Sequence, residues 1–242
     1  MAKSRKELYR FHTENLREVE RSISTITLTI RHAISTQNQK QIYSLIRLYS
    51  LLLGVWAECR LNKLLYEEKS FSEQTRKKIL EQKTLSQKWH KTIELAYRKH
   101  YNIKRGVISQ LNTSHTAYYR YQTICSMLDT DLTSIIELRN KLAHGQWVFP
   151  LNSKLDNVSQ KELVALRNEN LLSLQFKKKL ISVLSSIIHD LVVSKATFER
   201  DFDNHFDHIV QTKLNLNNRK YSDYEKNMIE KYQRGLSKRK PE

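Results

Sequence analysis

The sequence predicts an all-α fold, and three observations indicate it. The 242 residues include only 4 Gly and 2 Pro. These are too few for the tight turns of a β-sandwich or barrel, or for the glycine loops of a dinucleotide-binding fold. Apolar residues make up 39% of the chain and recur at three- to five-residue spacing, which is close to the period of a helix face. We expect one large helical domain over residues 1–212, followed by a basic tail over 213–242.

Apolar stripes predict four helices in the first part of the chain, at about 5–35, 41–69, 73–82 and 84–101. The first contains the β-branched run SISTITLTI, which favours a strand, but its flanks are helical and we assign it to the helix. The second is apolar on more than one side, so we expect it to be the central helix of a bundle.

A soluble, cytoplasmic protein with no membrane association is expected from three features. The least polar stretch, residues 48–57, has ten uncharged residues and is too short to span a bilayer. The N-terminal sequence MAKSRKELYRF lacks the apolar core of a signal peptide. Cys59 and Cys125 lie outside any CxxC pair, as expected of two buried thiols in a reducing compartment.

In the second part of the chain the pattern predicts a helix over 114–128 and another over 133–143. We expect Asp129-Thr130-Asp131 to cap the start of the later helix and Gly145 to end it. Residues 146–169 read as a loop with short pieces of structure. The stretch from about 170 to 210 then predicts one long amphipathic helix, or two.

The charge of the chain favours a polyanionic partner. Lys and Arg number 42 and Asp and Glu 25, so the net charge is 42 − 25 = +17. RNA, DNA and an anionic membrane surface all fit such a surplus, and so does a merely solvated basic surface. Tyrosines beside basic residues can stack on unpaired bases, although half-buried packing is the commoner role of such tyrosines. The candidate RNA-binding residues are Lys104, Arg105, Tyr118, Tyr119 and Lys141.

The stretch DLTSIIELRNKLAHGQWVFP, residues 131–150, carries the clearest chemical signal. Arg139, Asn140 and His144 lie off the buried stripe of the predicted helix. Asn140 and His144 are four residues apart and share one side, whereas Arg139 and His144 are about 140° apart around an ideal helix. Histidine can transfer a proton near neutral pH while an arginine holds phosphate oxygens. The combination therefore points to chemistry on a phosphate.

Arg139-Asn140-Lys141-Leu142-Ala143-His144 resembles the R-x4-H signature of the HEPN superfamily of small helical ribonucleases. The resemblance implies an antiparallel helical bundle, here with extra helices, that pairs as a homodimer with two motifs facing one composite cleft. It also implies cleavage of RNA without a metal or other cofactor, by attack of the ribose 2′-OH on the adjacent phosphate. Many members are toxins or abortive-infection antiphage factors, and others only bind.

Carried over residue by residue, the resemblance makes His144 the proton-transfer group and Arg139 the group that binds the scissile phosphate. Asn140 would orient His144 or the phosphate. The segment GVWAE on the central helix is similar to an acidic motif of some members, and its Glu58 would orient Arg139 or act as an acid or base. An antitoxin protein or a regulatory small RNA is the expected partner that holds such an enzyme in check.

Three other interpretations remain open. Asp201, His205 and His208 share one helix face and form a possible metal-ligand set, although an amphipathic helix with its charges outside is the commoner explanation. A non-catalytic RNA-binding or scaffold protein would keep the helical dimer and the basic surface without turnover. A DNA-binding regulator would need a helix-turn-helix, which the long helices and glycine-poor turns do not favour.

Overall fold

The computed structural model describes residues 3–238, and this part of the chain is 78% helix with no strand, which confirms the all-α prediction. Within it, the only bridge of β type is an isolated one between Leu151 and Val158. The helices are α1 Arg5–Ser35, α2 Gln39–Tyr66, α3 Glu73–Leu80, α4 Leu85–His100, α5 His115–Met127, α6 Thr133–Ala143, α7 Gln160–Asn168, α8 Leu171–Val193, α9 Lys195–Asn218 and α10 Tyr221–Ser237.

Helices α1 and α2 form a long hairpin at the centre of the fold. Helix α1 starts with a capping box, in which the Ser4 hydroxyl accepts from the Glu7 backbone N–H and the Glu7 carboxylate accepts from the Ser4 N–H. The Trp56 indole N–H donates to Glu20 at 3.1 Å, and Arg5 bonds to the Tyr66 carbonyl at 3.0 Å. Since low-numbered residues of α1 meet high-numbered residues of α2, the two helices run in opposite directions.

Helices α5 and α6 are joined by a π-helical turn, Leu128–Leu132, so the predicted cap at Asp129–Asp131 is wrong. The Thr133 N–H bonds to the Leu128 carbonyl, five residues back, and the helix continues without a break. The two aspartates bond to other helices instead. Asp129 lies 2.9 Å from His90, and Asp131 pairs with Lys213 at 2.7 Å. The two carboxylates therefore contact His90 and Lys213 instead of backbone N–H groups at the start of α6.

The C-terminal part of the chain consists of the packed pair α8 and α9, followed by α10. Ser194 separates α8 from α9, and its hydroxyl accepts from the Thr197 N–H as a cap. The predicted boundary at 212/213 lies inside α9, and α10 packs against α1. Residues 239–242 of the predicted tail, like residues 1–2, lie outside the described part of the chain.

Helix α2 is the central helix that its apolar pattern predicts. It packs against α1, α6 and α8 and carries Leu53, Trp56, Ala57 and Leu61 in the core. By length and composition it is also apolar enough to cross a membrane. One such helix is weak support for a membrane span, because the core helix of a globular bundle has the same composition.

Candidate active site

The motif occupies the C-terminal end of α6. Helix α6 ends in a Schellman arrangement, in which the Gly145 N–H bonds to the Leu142 carbonyl at 3.1 Å and the Gln146 N–H to the Lys141 carbonyl at 3.0 Å. Gly145 has a φ of +76°, a conformation that favours glycine. His144 is therefore the last residue before the chain turns, and its ring is exposed to solvent.

Arg139 lies directly on helix α2, where Gly54 makes room for it. A Cβ added to Gly54 would lie 2.4 Å from the Arg139 Cβ and 2.6 Å from its Cγ. Real side chains do not approach this closely, so only glycine allows the two helices to come together at this point. Gly54 is a residue that the motif analysis missed, and its signal was a glycine in the middle of the least polar stretch of the chain, residues 48–57.

The Arg139 guanidinium is held by two neighbours. Its Nη2 donates to Glu58 Oε2 at 2.6 Å, and its Nη1 donates to Asn140 Oδ1 at 3.0 Å. Its Nε is buried and has no hydrogen-bond partner within residues 3–238. The short charge-assisted bond to Glu58 fixes the orientation of the guanidinium plane. The structure thus brings together Glu58, Arg139 and Asn140, three of the four predicted catalytic residues.

His144 stands apart from this cluster. No side-chain hydrogen bond of His144 is found within the described residues, and none joins it to Arg139. The offset of about 140° between the two positions explains the separation, because Arg139 faces α2 while His144 points to solvent. A single protomer therefore presents a positioned arginine and a solvent-facing histidine on different sides of the same helix end.

The loop after α6 is fastened to α2 by residues that the sequence interpretation missed. The Trp147 indole N–H donates to the Leu142 carbonyl at 2.9 Å. The Trp147 carbonyl accepts from Tyr43 Oη at 3.3 Å and from Arg47 Nε at 3.4 Å. Arg47 is buried and also donates to the Leu166 carbonyl at 2.7 Å. A charged residue within the apolar run of α2 was the available signal for this buried anchor.

Lys141, a candidate RNA-binding residue, is used within the protein. Its side chain is half-buried, and its ammonium group donates to the Leu151 carbonyl. This bond ties the loop to the last turn of α6, so Lys141 shapes the site from within.

The other candidate RNA-binding residues lie at the opposite end of the continuous α5–α6 helix. Helix α4 runs antiparallel to it, since Ser86 bonds to Thr133 at 3.0 Å and His90 lies at 2.9 Å from Asp129. The chain that follows α4, with the exposed Lys104 and Arg105, therefore lies near the start of α5. Tyr119 is about 25 helical residues from His144, roughly 37 Å along the axis. One protomer does not bring these residues to the motif.

The two tyrosines differ in accessibility. Tyr118 packs against the main hydrophobic core, and its hydroxyl accepts from Gln122 at 3.0 Å. Tyr119 is 60% exposed, so its ring is open to contact from outside. Packing thus accounts for Tyr118 but not for Tyr119.

Among the described residues, neither a reactive cysteine at the motif nor a metal-ligand set on α9 is found. Burial and the neighbouring Glu58 raise the pKa of the Cys59 thiol, which keeps it protonated at neutral pH. Within residues 3–238 no group of three or more His, Cys, Asp or Glu side chains is arranged to hold a metal ion. Asp201 is bonded to Arg200, and His205 lies 3.2 Å from Asp190.

Comparison with known proteins gives no relative for this chain. No protein-family model, curated protein sequence or solved structure matches it significantly. The functional interpretation therefore depends on the residues and their geometry.

Proposed function

We propose that this protein is a metal-independent endoribonuclease of the HEPN type that acts as a homodimer. The observation that carries the proposal is the end of α6, where a clamped Arg139 and an exposed His144 stand in an R-x4-H pattern. The all-helical fold and the net charge of +17 support it, since the first suits the family and the second suits an RNA substrate.

The chemistry assigned to this site is a transesterification followed by release. The ribose 2′-OH loses its proton to a base, its oxygen bonds to the adjacent phosphorus, and the bond from phosphorus to the 5′-oxygen breaks. The leaving 5′-oxygen takes up a proton, which leaves a 2′,3′-cyclic phosphate and a 5′-OH. His144 transfers protons in this scheme, and Arg139 binds the phosphate oxygens on which negative charge accumulates.

Glu58 and Asn140 act as positioning residues for Arg139 in this proposal. Glu58 occupies one guanidinium nitrogen and Asn140 a second, and although the Nε is buried, 27% of the arginine side chain remains exposed. Such an arrangement fixes the plane of the guanidinium before substrate binds, so that little ordering remains for the transition state.

A second copy of the chain is the partner that completes the cleft. Exposed apolar side chains flank the motif, with Val148 52% and Phe149 54% exposed. In a second copy these two side chains would find an apolar partner, which removes their surface from water. The proposal places a His144 from each copy across one two-fold axis, so that two copies surround a phosphate.

The dimer is tested with Phe149→Asp, which places a charge in the proposed interface. We expect this variant to run as a monomer in analytical ultracentrifugation and to lose cleavage, with unchanged circular dichroism. Val107→Asp, at an 83% exposed site beyond the far end of α4, is the matched control and is expected to stay dimeric. A dimeric, active Phe149→Asp protein would contradict this interface.

The nuclease is tested on labelled single-stranded RNA in the presence of EDTA. Wild type is expected to give cyclic-phosphate ends, and His144→Ala is expected to lose at least about 10²-fold in rate. His115→Ala, which removes another exposed histidine at a helix end, is the control and is expected to stay active. Cleavage by His144→Ala at the wild-type rate would contradict the assignment.

In the cell, the proposed role is that of a cytoplasmic toxin or abortive-infection antiphage factor, restrained by an antitoxin protein or a regulatory small RNA. Induced expression of wild type is expected to arrest growth, and His144→Ala is expected to relieve the arrest. Equal arrest by both proteins would contradict a role through cleavage.

A non-catalytic RNA-binding or scaffold protein is the second candidate. The salt bridge between Arg139 and Glu58 favours it, because a carboxylate at 2.6 Å already offsets part of the positive charge that a phosphate would need. Salt-sensitive RNA binding by wild type without any product in the EDTA assay would identify this function.

A further inference from the structure

A groove of about 560 Å³ lies between α10 and the C-terminal half of α1. Its size falls in the range of pockets that hold nucleotide-sized ligands. Helix α10 has no fully buried residue among those described, so it forms a wall of this groove rather than part of the core. The N-terminal end of α10 is the better packed one, since Tyr221 is half-buried whereas residues 233–238 are exposed.

Two cations and two tyrosines line the groove: Arg31 and Lys231, with Tyr224 and Tyr232. Arg31 and Lys231 are exposed, and neither forms an ion pair within residues 3–238. The Tyr232 ring meets His32 edge to face, with ring centroids 6.1 Å apart. Aromatic faces beside unpaired cations are what a single-stranded nucleic acid needs, since the rings stack on bases and the cations bind phosphates.

Gly235 lies in the wall of the groove, in the last turn of α10. A glycine inside a helix costs up to about 1 kcal/mol relative to alanine. A Cβ added to Gly235 would meet nothing within 4 Å, so no protein contact accounts for this glycine. The effect of the missing side chain is to leave the groove wider at that point.

The groove lies at nearly the same height along α2 as the end of α6. Glu20 meets Trp56 across the α1–α2 hairpin, so Arg31 is level with about residue 45 of α2. Trp147 meets Arg47, so His144 is level with about residue 50. The two places differ by about 8 Å along α2, so they lie at a similar level of the bundle.

We infer that the α1–α10 groove is an accessory subsite for single-stranded RNA, in which a base stacks on Tyr232 while Arg31 and Lys231 bind the adjoining phosphates. The inference rests on the proposed function only in taking RNA as the ligand. It assigns α10 a direct role in substrate affinity, separate from the chemistry at Arg139 and His144.

The test measures the affinity of the full chain for labelled single-stranded RNA by fluorescence anisotropy. The assay compares an RNA of about 16 nucleotides with one of about four, which span the usual range of single-strand site sizes. Tyr232→Ala and Lys231→Glu are each expected to weaken the longer RNA about tenfold. Lys226→Glu is the matched control, because Lys226 is exposed on the same helix, pairs with Glu230 at 3.9 Å and lies outside the groove.

Two further variants separate loss of the subsite from loss of α10 packing. Tyr232→Phe keeps the ring and is expected to bind like wild type. Gly235→Leu raises helix propensity while filling the groove, so it is expected to weaken the longer RNA with α10 still helical by circular dichroism. Wild-type affinity in both Tyr232→Ala and Gly235→Leu would overturn the inference.

Crosslinking distinguishes failure of this inference from failure of the proposed function. RNA carrying 4-thiouridine is irradiated with the wild-type chain, and the attached peptides are identified by mass spectrometry. Crosslinks within α10 without any RNA cleavage would support the subsite and contradict the nuclease. Cleavage that depends on His144, with crosslinks outside α1 and α10 only, would overturn the subsite and leave the nuclease standing.

Discussion

Two glycines inside helices, Gly54 in α2 and Gly235 in α10, differ in what occupies the space beside them. At Gly54 another side chain takes the space, because the Arg139 Cβ lies 2.4 Å from where a Cβ would be. At Gly235 nothing lies within 4 Å of that point. The first glycine allows two helices to touch and orients an arginine. The second leaves a groove open. The comparison suggests that one region positions a group and the other receives a ligand.

The largest expected difference between the end of α6 and the α1–α10 groove is in the effect of replacing arginine by lysine. Arg139→Lys keeps the charge but loses the planar fork that contacts Glu58 and Asn140, so we expect cleavage to fall about 10²- to 10³-fold. Arg31→Lys keeps the charge of the groove, where no fixed partner requires a fork, and is expected to change RNA affinity and cleavage only slightly. Rates of RNA cleavage measure both. An equal loss of cleavage rate in the two variants would contradict the different roles proposed for Arg139 and Arg31.

Gly54→Ala is expected to destabilise the fold. Overpacking against Arg139 costs about 1–3 kcal/mol, which outweighs a helix-propensity gain of about 1 kcal/mol. For a chain of this size each kcal/mol lowers Tm by about 2–4 °C. Differential scanning calorimetry measures the shift, and a Tm at or above that of wild type would show that α2 and α6 are less tightly apposed than described.

Gly235→Ala is expected to have the smallest effect on stability and, unlike Gly54→Ala, to stabilise the fold. Its methyl group meets no neighbour, so the free energy of unfolding is expected to rise by about 0.5–1 kcal/mol through the gain in helix propensity. Urea unfolding followed by circular dichroism measures it. A clear loss of stability would mean that the groove is closed in solution.

Most helices were predictable because their local signals agree with their packing. For α1, the Ser4 cap and the apolar stripe both favour a helix, and the observed Arg5–Ser35 coincides with the predicted 5–35. Local propensity was a poorer guide in its SISTITLTI run, where burial of Ile23 and Ile30 outweighs the β-branched preference for a strand. The C-terminal end of α6 was also predictable, since Gly145 takes the conformation that helix termination requires.

Several unpredicted features depend on partners distant in the chain. Arg47 is held by carbonyl groups about 100 residues or more away, which no local pattern reveals. Asp131 bonds to Lys213 rather than capping α6. Within the candidate site, the order of Arg139, Asn140 and His144 was visible in the sequence. That Arg139 faces α2 while His144 faces solvent required the tertiary contact at Gly54.

The π-helical turn at Leu128–Leu132 sets the rotational phase of everything that follows it. One extra residue in the turn rotates α6 by about 100° relative to an uninterrupted α-helix. Deleting a single residue there, such as the exposed Thr130, would leave both flanking helices intact but rotate Arg139 away from Gly54. The motif would then keep its residues but lose its orientation towards α2, so the length of the turn between α5 and α6 is as much part of the site as the residues themselves.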